Sequence, residues 1–255
     1  MRSAIFPIHF LRLLILRLLM SASLLLGLSQ AYADEGAEPQ RSDYVYDARM
    51  AFIKAGKLNL ALDRDGDAYE VAGEFKTSRA LSPYYTWNGV FAAVGTWRGL
   101  GPVTTAYMSR SSSKDDKMKI VLTYPDATRV LKKGREDFET TQRPGGIDLI
   151  SALFFNPTCY EGTLVHDGED SYQLSLIKQR KHALKGGRDY FNGEVVSCDY
   201  RVVDHKGRKR RVVVSLADIN GQQIAVQVRA KIPLLPDAIF KLRVLDSAPN
   251  IAAAH

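Results

Sequence analysis

The chain has little of what marks most enzymes and metal proteins. Its 255 residues include two cysteines, two tryptophans and five histidines. The cysteines do not form a C-x-x-C pair, and no two histidines stand at metal-ligand spacing, which argues against a redox couple or a zinc centre. The sequence has no G-x-S-x-G, no Walker motif, no G-x-G-x-x-G and no H-E-x-x-H, which removes the common nucleophile, nucleotide and zincin signatures. No apolar run reaches the ~20 residues of a membrane-spanning helix, and there is no repeat at a solenoid period. No catalytic residue, metal or cofactor is therefore expected.

Two partial matches fail on context. Ser111-Ser112-Ser113-Lys114 satisfies S-x-x-K, but the penicillin-binding chemistry needs the start of a helix and companion S-D-N and K-T-G elements. Asp63, Asp65, Asp67 and Glu74 resemble a calcium loop, yet Gly66 comes two places too early and Ala68 stands where the loop needs its glycine. Both stretches read as solvated connections. The histidines of the mature chain, His166, His182, His205 and His255, read as surface residues.

What the chain does have begins with an address. Arg2, Arg12 and Arg17 precede the apolar run 18–28, which ends in Ala31-Tyr32-Ala33. That is the n-region, h-region and cleavage site of a secretory signal peptide, with cleavage expected near Ala33. A membrane anchor is the alternative, but the apolar run is too short to span. The mature chain is expected to be periplasmic and not membrane-spanning. Removing Arg2, Arg12 and Arg17 from 35 basic residues leaves 32 against 28 acidic, so the net charge falls from +7 to +4. That balance suits an anionic envelope surface and is too small for a dedicated nucleic-acid protein.

Cys159 and Cys198 both lie in the exported part, and an isolated pair in an oxidising compartment reads as one structural disulfide.

Residues 34–43 are polar and contain Gly36 and Pro39, so they are expected to be a disordered lead-in. Residues 44–246 should form a single β-rich domain, and 247–255 a disordered tail. Tyr44, Tyr46, Ala48 and Met50 form one alternating apolar set, and Leu58, Leu60 and Leu62 another. Asp65-Gly66 and Asn220-Gly221 separate such runs and predict tight hairpins. Strands are predicted at 44–53, 57–63, 68–77, 102–110, 117–124, 162–167, 171–178, 194–203, 209–217, 222–231 and 238–245. In the strand at 222–231 the apolar side should face in and Gln223, Gln227, Arg229 and Lys231 out. Residues 87–97 alternate acceptably but are alanine-rich, leaving strand and helix both open. One short helix is predicted at 147–155, capped by Asp148 and stopped by Pro157. The fold class is all-β, mainly antiparallel: a rolled sheet, barrel-like or a β-spiral.

Two basic clusters stand out, residues 178–188 and the run Lys206, Arg208, Lys209, Arg210, Arg211. Both flank hairpin connections. They read either as solubility and edge protection or as contact with anionic lipid head groups, lipopolysaccharide or peptidoglycan. No aromatic residue interleaves the arginines, which counts against nucleic acid.

The stretches YVYDARMAFIKAGKLNLAL, GIDLISAL, VHDGEDSYQLSL, GEVVSCDYRV and VRAKIPLLPDAIFKLRVL, in that order, resemble the bacterial secreted proteins classed as domain-of-unknown-function family 3108. The resemblance runs over most of the mature chain. It implies an envelope protein of β-rich, barrel-like or spiral form, with no assigned reaction and no catalytic residues to carry over.

The leading expectation is a non-catalytic, monomeric periplasmic protein that supports envelope integrity by binding an envelope protein, peptidoglycan or lipid. The alternative is a carrier of an apolar or lipid-like ligand in a β-barrel cavity, with Tyr84, Tyr85, Trp87, Phe91 and Trp97 at its mouth. An envelope enzyme of unknown reaction is the third reading.

Overall fold

The computed structural model describes residues 40–83, 86–99, 101–113, 118–132, 139–231 and 236–244. These residues form one sheet of fifteen strands and one short helix. The strands are β1 (Gln40–Met50), β2 (Ile53–Asp65), β3 (Ala68–Thr77), β4 (Trp87–Arg98), β5 (Gly101–Ser113), β6 (Met118–Thr123), β7 (Thr128–Lys132) and β8 (Glu139–Thr141) in the first half. The second half holds β9 (Ile147–Asp148), helix α1 (Leu149–Phe154), β10 (Gly162–His166), β11 (Ser171–Lys185), β12 (Asn192–Asp204), β13 (Lys209–Ile219), β14 (Gln222–Lys231) and β15 (Ala238–Leu242).

Each half is an antiparallel meander, and the halves join where β1 pairs with β15. The sheet therefore runs from β8 through β1 and β15 to β9 and stays open at both edges. Only the β9–β10 pair is parallel. The open sheet rolls until its β9 edge meets β5. There the Thr104 hydroxyl donates to Asp148 Oδ2 at 2.7 Å, and the Asp148 backbone N–H donates to Thr104 Oγ1 at 2.9 Å. Beyond that seam β6 lies over the β10–β11 turn, where the Thr123 hydroxyl donates to the Gly168 carbonyl at 3.2 Å.

Period-two alternation decides which side chains enter the roll. Tyr46 stands beside Leu58, Leu58 beside Phe75 and Phe75 beside Gly89 in one inward row. Leu60, Gly73, Phe91, Ser109 and Val121 form the next. On the other half the inward residues include Tyr200, Val212 and Ala230. Asn220 and Gly221 both take positive φ, which makes the two-residue β13–β14 hairpin turn. The β2–β3 turn is centred one residue later than the sequence suggests, on Gly66 and Asp67 with Gly66 at positive φ.

Four expectations need correction, and residues 87–97, left open between strand and helix, are settled. Gln40–Asp43, read as lead-in, pair with β2 from Arg64 to Ala61. Residues 87–98 form a strand, because in β4 the inward Gly89, Phe91 and Ala93 face the partner rows of β3 and β5. The strands at 128–132, 139–141 and 147–148 are additional: β7 pairs with the preceding β6 in a hairpin, and β8 and β9 gain their pairing from β7 and β10. Gln227 is buried rather than solvated. In the same outer region the buried Ser197 and Ser215 hydroxyls bond each other at 2.8 Å, and His182 Nε2 lies 2.8 Å from Ser197. His166, read as a surface residue, is fully buried because the overlap of the roll covers its strand, with Tyr107 edge-on at 5.8 Å.

Helix α1 lies inside the roll, tied at both ends. Asp148 is its N-cap and accepts from the Ser151 N–H at 2.8 Å. Past its C-terminus, Cys159 is disulfide-bonded to Cys198 of β12 with Cα atoms 5.4 Å apart. The Tyr160 N–H donates to the Tyr200 hydroxyl at 2.9 Å, which reinforces the same attachment. Phe154 packs edge-on to Tyr46 and to Phe240, and Phe155 against Tyr44.

Candidate functional site

The helix fills only part of the roll. Beside it lies a cavity of about 470 Å³, within the size range of small-molecule sites. Phe75, Trp87 and Phe91 form one wall, Leu149, Ile150, Leu153 and Phe154 of α1 the floor, and Val212, Val228, Ala230 and Phe240 the opposite wall.

Glycines shape this lining. A Cβ on Gly73 would run into the Phe91 ring, one on Gly56 would stand 2.5 Å from the Phe75 ring, and one on Gly89 2.9 Å from the Trp87 ring. Each of these three rings lies over a strand position that has no side chain, and Phe75 meets Phe240 of the opposite wall edge-on at 6.2 Å, which closes the space at that point.

One end of the cavity is polar. Ser109, Ser111 and Lys119 approach from β5 and β6, and Asp167 and Glu169 from the β10–β11 turn. Lys119 is ion-paired with Glu169, and burial pushes its amine below the ordinary lysine range. Asp167 accepts from the Tyr172 hydroxyl at 2.7 Å and from the turn N–H groups of Glu169 and Asp170 at 3.1 and 2.9 Å. Burial, then the Asp167 carboxylate, push the Tyr172 phenol up, so it stays a neutral donor. Lys119, Asp167 and Glu169 are each engaged by a partner, and Arg110 of β5 also lines this end.

Of the aromatics expected at a cavity mouth, Trp87 and Phe91 line it. Trp97 does not: Arg64 lies over its ring at 4.5 Å and Tyr69 meets it edge-on at 6.0 Å. Tyr84 and Tyr85 lie outside the described residues, as does Lys114 of the S-x-x-K stretch. The sequence reading missed the α1 floor, the contributions of Phe75 and Phe240, and the polar end. Alternation marks Val212, Val228 and Ala230 as inward, but nothing local shows that the opposite wall stands off from them.

The side chains of the basic run do not share one face. Arg208 is tied to Asp204 by an Nε–Oδ2 bond of 2.6 Å, and Arg211 is held by both carboxylate oxygens of Asp199. Lys206 lies in the turn and its backbone N–H donates to Asp204. Lys209 and Arg211 project from the outer face, whereas Arg210 stands opposite the inward Val202.

Among the described residues no group of three His, Cys, Asp or Glu side chains is placed to hold a metal ion, and no helix is long and apolar enough to cross a membrane. No family model matches this chain, and neither does any curated protein or solved structure.

Proposed function

We propose that the protein is an exported, non-catalytic binding protein of the cell envelope that encloses the apolar part of a lipid-like ligand inside its β-roll. The observation that carries this reading is the apolar cavity between α1 and the two sheet walls. A roll built only for stability gains by closing such a space, since interiors pack to near-crystalline density and unfilled volume costs stability. Here the Gly56, Gly73 and Gly89 positions and the tethered helix hold it open.

The polar end suits the head of an amphiphile, because Ser109, Ser111 and the Lys119–Glu169 pair offer hydrogen bonds where the apolar lining stops. That Lys119, Asp167 and Glu169 are already partnered favours binding over catalysis. Export is supported by the pattern of the first 33 residues, by the disulfide and by the resemblance to secreted β-rich proteins. Retaining an envelope lipid, or the apolar part of an envelope polymer, is the means by which such a protein would support envelope integrity.

Native mass spectrometry of the exported protein tests the reading. The expected result is a bound lipid-like mass that organic extraction removes and that Ala230→Phe, which adds a ring to the cavity wall, reduces. A purified protein that carries no such mass and takes up no fatty acid or phospholipid from solution would overturn it.

A further inference from the structure

Cross-strand register assembles a charged surface that the linear sequence does not show. On the outer face Arg201 of β12 stands directly opposite Arg211 of β13, and Arg211 directly opposite Lys231 of β14. Lys209 lies two residues before Arg211 on the same face. All four are exposed, and neighbouring strands are ~4.8 Å apart, so the row crosses three strands at close spacing. Like charges directly opposite one another destabilise a sheet, and Asp199 and Asp237 are the carboxylates beside the row, engaged by Arg211 and Arg229. With Ile177, which is 48% exposed, and with Arg210 and Asp237, the row lines an open depression of about 460 Å³.

We propose that the Arg201–Arg211–Lys231 row, with Lys209, is a docking surface for an anionic phospholipid bilayer. A row of like charges that weakens the sheet alone is relieved by many opposing charges at once, which a layer of phosphate head groups supplies. Ile177 beside the cations adds an apolar contact of the kind that enters the head-group boundary. The depression is broad and walled by long flexible cations rather than by converging backbone N–H groups, unlike a pocket for one phosphate. Among the described residues no aromatic side chain lines it, unlike a single-stranded nucleic-acid groove. The proposal stands independently of the cavity reading.

Co-sedimentation of the protein with vesicles tests it, comparing phosphatidylcholine alone with phosphatidylcholine containing phosphatidylglycerol. The protein is expected to sediment with the anionic vesicles only, and less as salt is raised. Replacing Arg201, Lys209 and Lys231 together by glutamine lowers the partition coefficient by about tenfold or more, each surface cation contributing on the order of a fewfold. Lys57→Gln with Lys76→Gln and Arg98→Gln removes equal charge from the other half of the sheet and leaves binding unchanged. The single variant Arg201→Gln should still fold, melt no lower than the parent, and bind anionic vesicles less.

Equal sedimentation with both vesicle types, or equal losses in the two triple variants, would overturn the assignment. So would displacement by inorganic phosphate beyond that of chloride at equal ionic strength, which would mark a pocket for one anion. Retained binding in Arg201→Gln together with the row variant would overturn it as well.

Discussion

The Thr104 hydroxyl donates to the fully buried Asp148 carboxylate at 2.7 Å, and this contact joins the β9 edge of the sheet to β5. Asp148 also caps α1 through the Ser151 N–H, so one side chain fixes both the overlap of the roll and the start of the helix that forms the cavity floor. Asp148→Ala should therefore cost about 3 kcal/mol, since it removes a helix cap and leaves buried donors unpaired. Thr104→Val should cost about half as much. Chemical denaturation of both variants checks the order as well as the size.

The Cys159–Cys198 bond closes a loop with a sequence separation of 39. In the chain-entropy model such a loop contributes about 4 kcal/mol. Replacing both cysteines by serine should lower the melting temperature, and peptide mapping without reductant should recover the two residues in one linked fragment. Because the bond anchors the far end of α1, the variant should also retain less bound lipid than its loss of stability alone predicts.

Acid should weaken the fold through His166 before the carboxylates act. Burial lowers the His166 pKa from its ordinary 6.5, against the opposing pull of Asp148 and with a smaller contribution from Arg143. A base whose pKa falls on folding stays neutral in the native state while the unfolded chain takes up the proton. Its contribution is complete above pH 6.5 and is lost as pH falls towards the folded pKa. Asp199 is held below 3.8 by Arg211, and Asp47 below 3.8 by Lys54, Tyr190 and Arg243 despite its burial, so their contributions fade only in stronger acid. Melting curves near neutrality and at about pH 5 should separate for the parent and nearly coincide for His166→Gln.

Gly73→Ala should be costly although it adds only a methyl group to a strand. The new Cβ would run into the Phe91 ring, and the ring cannot tilt away without entering the cavity. Overpacking of this kind costs about 1–3 kcal/mol. The variant should also lose lipid binding, whereas Gly99→Ala, where a Cβ would meet nothing within 4 Å, should do neither.

Alternation made most of the fold legible, because inward residues recur at every second position, as with Tyr44, Tyr46 and Ala48 or Leu58, Leu60 and Leu62. The helix and its Asp148 cap were legible for the same local reason. The short edge strands were not, since Glu139–Thr141 has no apolar alternation and gains its pairing only from β7. The burial of His166 was also hidden, because it follows from the overlap of edges distant in sequence. Of the site, the two aromatics of β4 were readable as candidates. The cavity was not, since a void depends on how far apart two walls stand and no residue type encodes that distance. The basic run gave only part of the outer row, as Arg201 and Lys231 join it through strand register.

The central claim, an apolar ligand inside the roll, is tested most directly at Trp87, which lines the cavity. The chain has two tryptophans, so Trp97→Phe leaves Trp87 as the only indole reporter. Titration of that variant, freed of lipid, with a bromine-labelled fatty acid should quench Trp87 saturably, and adding Ala230→Phe should weaken the quenching. Fluorescence that stays unchanged while a water-soluble quencher still reaches the indole would contradict the account.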